Sequence, residues 1–77
     1  MNIYRISQRE RRGYDTYDSA VVIAKSADAA STINPEGYWG GGRGAWASSS
    51  ENVVVELIGE AIKGSLESII VSSFNAG

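Results

Sequence analysis

Neither cysteine nor histidine occurs among the 77 residues of this chain, and this double absence limits how it can stabilise a fold. A core this small supplies only about 3–5 kcal/mol of net stability, so small domains usually add disulfides, a metal or a partner subunit. Without cysteine there are no disulfides or thiolate metal sites, and without histidine the commonest metal ligand is missing. Association of identical copies is the means that remains, so we expect a homo-oligomer.

The same absence narrows the classes of function. A Ser-His-Asp arrangement cannot exist without histidine, and no motif supports a Ser-Lys pair. The net charge of −2 argues against nonspecific binding of nucleic acid, which needs a basic face. We therefore expect a small binding or interaction module and not an enzyme, with no catalytic residue, no metal site and no cofactor.

The hydrophobic pattern predicts neither a membrane span nor a secretion signal. The longest apolar run, Ala20 to Ala24, is far shorter than the roughly 20 residues that a span needs. No basic stretch followed by an apolar stretch opens the sequence, as a signal peptide would require. We expect a cytoplasmic protein, in the cytoplasm of a host cell, with no membrane partner.

Periodicity and residue preference predict a single α+β domain spanning residues 1–77. Runs rich in Ile, Val, Tyr and Thr favour strands, and a capped polar-apolar stretch favours one short helix. The expected fold is a small antiparallel sheet of about four strands in the order β-β-α-(loop or hairpin)-β-β. Its elements are strands at Asn2–Ser7, Tyr14–Lys25, Asn52–Glu60 and Leu66–Phe74, and a helix at Ala27–Ile33.

Local signals place the details of these elements. Ser26 is typical of a helix N-cap, and Asn34-Pro35 should end the helix, with Ala30 and Ile33 docking it on the sheet. The apolar run Ala20 to Ala24 suggests a strand covered on both faces, by the helix or by a partner subunit.

The last two strands carry further local signals. Gly59 is a candidate for a β-bulge. Ala61 to Ser65 contains a Lys-Gly pair and is typical of a hairpin connection between the strands on either side of it.

A glycine-rich loop at residues 36–50 is the first candidate for a ligand site. Exposed backbone N–H groups in a glycine turn can cradle phosphate oxygens, and arginine can bind phosphate through two parallel hydrogen bonds. Aromatic faces can stack on a base, although two tryptophans can equally fill the core or a subunit contact. The loop could also form two short strands around a glycine turn. The candidate ligand-binding residues here are Tyr38, Trp39, Gly41, Gly42, Arg43 and Trp46.

Polar residues elsewhere add to this set. Arg11 and Arg12, beside Arg9, could clamp an anionic ligand or an acidic protein surface, or simply form a solvated turn. Asp15 could join a site together with Asp18, but turn capping is the simpler interpretation of both. Asn75 follows serines at the end of the last strand and is a weaker candidate.

Several stretches together resemble a family of small bacteriophage and prophage proteins. The front signature of that family is similar to residues 13–22, GYDTYDSAVV, and its following acidic helix ends in an Asn-Pro pair as Ser26 to Pro35 does. A Trp-x-Ser step, a Val-x-Val-x-x-Ile-Gly strand and a Ser-Phe-Asn-Ala-Gly terminus then correspond to residues 46–48, 53–59 and 73–77. The resemblance covers nearly the whole chain.

By analogy, the resemblance implies a counter-defence role. Phages make small oligomeric sponges that sequester the cyclic nucleotides used as alarm signals by bacterial immune systems, Thoeris among them. The chain is similar to these sponges in general character, so we expect it to sequester a small anionic nucleotide-like signal, such as a cyclic ADP-ribose derivative, without cleaving it. One alternative is a protein-binding inhibitor of a host defence protein. A second is a small hydrolase that uses Asp15 and Asp18 on such a signal.

Overall fold

A computed structural model describes residues 1–10, 16–37, 45–66 and 68–75 and shows a small α+β fold. A four-stranded, fully antiparallel open sheet carries one short α-helix, as the sequence predicts. In chain order the elements are β1 (Asn2–Ser7), β2 (Thr16–Ala24), α1 (Ala27–Ser31), a 3-10 turn (Ser50–Asn52), β3 (Val54–Glu60) and β4 (Ser68–Asn75).

The strands lie in the order β3-β1-β2-β4, so the last two strands occupy opposite edges of the sheet. The expectation of a hairpin at Ala61–Ser65 is therefore wrong. The Ser65 N–H does donate to the Ile62 carbonyl at 3.0 Å, so a tight turn forms. The Ala61 N–H, however, donates to the Met1 carbonyl at 3.0 Å, which directs the chain across the start of β1 rather than back along β3.

The two ends of the sheet differ in what they carry. We call the loop end the one where Ser7, Thr16 and Asn75 lie, with Thr16 opposite Asn75 in the β2–β4 register. We call the turn end the other one, where Asn2 lies opposite Ala24 and residues 61–66 follow β3. Thr16 and Ala45, which flank the segments with the predicted ligand residues, lie at the loop end.

The core lies on the helix-bearing face of the sheet. Ala20, Val22 and Ala24 of β2 are buried there, whereas Val21 and Ile23 point to the other face and are half-buried. In the described chain β2 is thus closely covered on one face and not on both. The buried hydrophobic cluster comprises Tyr4, Ile6, Ala20, Val22, Ala24, Ala30, Trp46 and Ala47.

Helix α1 begins where the sequence predicts and ends two residues earlier. The Ser26 hydroxyl accepts a hydrogen bond from the Ala29 N–H at 3.1 Å, which confirms the predicted N-cap. At the other end, the Thr32 hydroxyl donates to the Ala29 carbonyl at 2.7 Å. Such side-chain bonds compete with the helical ladder and favour termination. Ala30 is buried and Ile33 packs against the core, as predicted.

A β-bulge shapes the edge strand β3. Ile3 of β1 lies opposite Gly59 and Tyr4 lies opposite Leu57, so Ile58 is an extra residue on β3. The irregularity sits beside Gly59, where the sequence predicts a bulge. An extra residue bends the strand and increases its twist.

Candidate functional site

The carboxylate of Glu10 fastens a distant part of the chain to the loop end. It accepts hydrogen bonds from the Ser48 N–H at 3.0 Å and from the Ser48 hydroxyl at 3.1 Å. The Asn52 side-chain amide donates to the same carboxylate at 2.7 Å. Ionised acceptors make stronger hydrogen bonds than neutral ones. Glu10 therefore holds residues 48–52 next to the point where the chain continues into the predicted basic segment.

A second link lies between β2 and the residue that follows the glycine-rich segment. The Tyr17 N–H donates to the Ala45 carbonyl at 2.8 Å. On the same strand end, the side-chain amide of the buried Gln8 donates to the Tyr17 carbonyl at 2.8 Å. Ala45 is therefore fixed beside the first residues of β2, with its backbone paired to the strand.

These links bring both flanks of the basic segment and one flank of the glycine-rich segment, Ala45, to the same place. Glu10 and Thr16 bracket the segment with Arg11, Arg12 and Asp15, and Gly37 and Ala45 bracket the segment with Tyr38, Trp39, Gly41, Gly42 and Arg43. Those eight candidates lie outside the described residues. Asn75 lies opposite Thr16 in the register of β2 and β4, so the backbone of this candidate is also at the loop end.

The structure favours the core interpretation of Trp46. Its side chain is only 1% exposed and belongs to the main hydrophobic cluster. Among the described residues, its indole N–H has no hydrogen-bond acceptor. An indole enclosed in this way presents no free face for a base, so we leave Trp46 out of the ligand surface proposed below.

A cleft opens between the C-terminal end of α1 and the residues that Glu10 holds. It has a volume of about 400 Å³, and Thr32, Ser48, Ser49 and Ser50 line it. The Thr32 and Ser48 hydroxyls donate to the Ala29 carbonyl and to Glu10. In the described part of the chain, the hydroxyls of Ser49 and Ser50 make no hydrogen bond and could serve a ligand.

Sequence reasoning missed this cleft. The one available signal was the run of three serines at residues 48–50, which polar loops also show without any function. That Thr32 and Glu10 lie close to this run follows from the tertiary structure, because neither residue is near it in sequence.

The predicted carboxylate pair finds no further support in the structure. Asp18 is exposed on β2, and Asp15 lies outside the described residues. Within the described ranges, no three acidic side chains come close enough together to hold a metal ion.

In the ranges that the structure describes, no helix is long and apolar enough to cross a bilayer.

Comparison with known proteins finds no relative. No protein-family model, no curated protein and no solved structure matches this chain.

Proposed function

We propose that this protein is a non-catalytic binding module that sequesters a small, anionic, nucleotide-like molecule at its loop end, as a homo-oligomer. The observation that carries the proposal is the hydrogen bond from the Tyr17 N–H to the Ala45 carbonyl, 2.8 Å long. Together with the Glu10 bonds to Ser48, it brings residues 45–48, which follow the glycine-rich segment, close to both flanks of the basic segment. This proximity supports the proposal that residues of both segments bind one ligand.

The chemistry of those segments suits phosphate. Arg11, Arg12 and Arg43 each carry a guanidinium group, which binds phosphate oxygens through paired hydrogen bonds. Gly41 and Gly42 leave their backbone N–H groups uncovered by side chains, so these groups can also donate to an anion.

A nucleotide also offers a base and a sugar, and the same end provides partners for both. Tyr38 and Trp39 have aromatic faces on which a base can stack, an interaction worth about 1–3 kcal/mol. The hydroxyls of Ser49 and Ser50 line the neighbouring cleft and can exchange hydrogen bonds with ribose oxygens.

The resemblance to small phage proteins supplies the biological setting of the proposal. The protein would act in the cytoplasm of a bacterial host and withdraw an immune signal, such as a cyclic ADP-ribose derivative of the Thoeris type. Sequestration needs tight binding only, so the ligand would leave the protein chemically intact. Asp15 would then assist binding and not hydrolysis.

A thermal-shift panel tests the proposal. Purified protein is heated with cyclic ADP-ribose derivatives, cyclic dinucleotides, linear ADP-ribose and plain phosphate. A true ligand at 100 times its Kd stabilises the folded state by about 2.7 kcal/mol, which corresponds to a rise in Tm of about 10 °C or more for a domain of this size. If every nucleotide leaves the Tm unchanged, the proposal is wrong.

Charge-matched variants show where the ligand binds. Arg43→Ala should abolish most of the thermal shift, whereas Arg5→Ala removes the same charge from the middle of β1, where Arg5 is exposed, and should leave the shift unchanged. Equal losses in both variants would indicate attraction by overall charge and would contradict a site at the loop end.

The fate of the ligand separates the alternatives. Mass spectrometry of the ligand released on denaturation should find it intact after long incubation. A cleaved product that Asp15→Asn prevents would indicate the hydrolase instead. A host protein captured in stoichiometric amount, with no small molecule released, would indicate the inhibitor.

A further inference from the structure

The edge strand β4 is the part of the fold that most needs a partner. It pairs with β2 on one side, and in the described chain no strand covers its other side. Ser68 to Asn75 contains no charged residue and no proline. An edge strand presents a row of unpaired backbone N–H and carbonyl groups, which proteins usually protect with charge, proline or a covering element.

The opposite edge shows that protection. Strand β3 carries Glu56 and Glu60, both exposed. Two copies of β3 would bring these carboxylates towards each other at an edge of a chain that is already negative. Two copies of β4 would meet without any like-charge contact, so the charge pattern favours association through β4 over β3.

Exposed apolar side chains accompany the start of β4. Ile70 is 52% exposed, and Leu66, two residues before the strand, is 79% exposed. Leu57 and Ile58 of β3 are 62% and 51% exposed, so apolar area alone does not distinguish the two edges, and the absence of charge on β4 does. Leu66 and Ile70 provide apolar area that a neighbour could bury.

The pairing of β4 with β2 shifts register at two points, at Ile70 on β4 and at Asp18 on β2. Val71 lies opposite Val21 and Ile69 lies opposite Val22, so Ile70 is the one extra residue on β4. From Val71 to Asn75 the strand has no further insertion of its own. This stretch therefore offers a backbone ladder on which a second strand can pair.

We propose that β4 pairs antiparallel with β4 of a second copy of this chain. An antiparallel strand is complementary to itself about a two-fold axis, so each copy supplies the donors and acceptors that the other lacks. A second copy fits better than an unrelated protein, because a strand without charged residues cannot favour another protein through charge complementarity. The inference rests on the homo-oligomer of the proposed function and names its interface, and pairing needs no ligand, so it can fail or hold independently of ligand binding.

The geometry of such a dimer follows from the fold. A two-fold axis perpendicular to the sheet gives one eight-stranded sheet with both copies of α1 on the same face. The start of β4 in one copy lies beside the end of β4 in the other. The loop end of each copy therefore lies next to the turn end of the second copy.

Sedimentation of the ligand-free protein at 1–100 µM tests this inference independently of any nucleotide. We expect twice the monomer mass of 8.2 kDa for the natural sequence. Ser73→Lys places a charge at an exposed position of β4 and should raise the dimer dissociation constant at least tenfold. Val54→Lys makes the matched change on β3, where Val54 is also exposed, and should leave the dimer intact.

Hydrogen exchange on the natural sequence gives a second readout that needs no variant. Amides of residues 68–75 should exchange more slowly at 100 µM than at 1 µM, while amides of β3 should show no such dependence. A monomer at 100 µM, or a dimer that Val54→Lys breaks and Ser73→Lys does not, would overturn the inference.

Discussion

The backbone N–H of Ser48 donates to the carboxylate of Glu10 at 3.0 Å, across 38 residues of chain. The Ser48 hydroxyl and the Asn52 amide donate to the same group. One side chain, three residues beyond β1, thus positions the chain between Trp46 and β3.

Replacing Glu10 with glutamine should loosen this segment without unfolding the protein. The amide keeps one acceptor oxygen but turns an NH₂ group towards one of the donors, and the charge is lost. Because Glu10 is exposed, we expect a loss of about 1–2 kcal/mol in the free energy of unfolding, measured by urea denaturation at fixed protein concentration. Amides of residues 48–53 should also exchange faster.

Glu51→Gln is the matched control for this variant. Glu51 is an exposed glutamate in the same region, and its side chain makes no hydrogen bond among the described residues. It should unfold at nearly the natural urea midpoint. Equal destabilisation by the two variants would mean that charge, and not the hydrogen bonds of Glu10, stabilises the segment.

The N-cap of α1 provides a second test of what stabilises the fold. Ser26→Ala removes the acceptor for the Ala29 N–H and should cost about 1 kcal/mol, or about 4–8 °C in Tm. Ser26→Asp keeps a capping oxygen and should retain most of the natural Tm. If alanine and aspartate give the same Tm, the cap contributes nothing to stability.

The elements of the fold were predictable because their signals are local. The bounds of β1 agree with the prediction of Asn2–Ser7, since a short β-rich run is followed there by charged residues. The helix start agrees because Ser26 caps it with its own side chain. The order of the strands in the sheet was harder to predict from the sequence. The turn at Ile62–Ser65 is equally compatible with a hairpin and with a connection across the sheet.

The candidate site was predictable only in its composition. Arginine, glycine and aromatic residues in residues 36–50 and 9–12 indicate anion and base binding from residue types alone. That both segments leave the same end of the sheet depends on Glu10 meeting Ser48 and on Tyr17 meeting Ala45, which are long-range contacts without a sequence motif. The burial of Trp46 was one of two open alternatives, because a tryptophan beside glycines suits a core and a ligand surface alike.

The turn between β3 and β4 depends on the backbone of Gly64. Its φ of +91° lies in the left-handed region, where a side chain is strained even though open space surrounds the position. Gly64→Ala should therefore cost about 1 kcal/mol in unfolding free energy. Gly59→Ala is the control, because the added carbon would meet only Ile3 at an ordinary 4.0 Å and φ there is not positive. A Gly59 variant as unstable as the Gly64 variant would show that the loss does not come from φ.

The enclosure of Trp46 can be measured directly by fluorescence, since the chain contains only two tryptophans. In Trp39→Phe the remaining emission comes from Trp46, which is 1% exposed. We expect emission at a shorter wavelength than that of free indole in water and weak quenching by acrylamide, with both properties lost in guanidinium. Adding a ligand that the protein binds should leave this emission nearly unchanged, because no base can reach the ring. Emission of the folded variant that equals its denatured emission would show instead that Trp46 is accessible, and would return it to the candidate ligand surface.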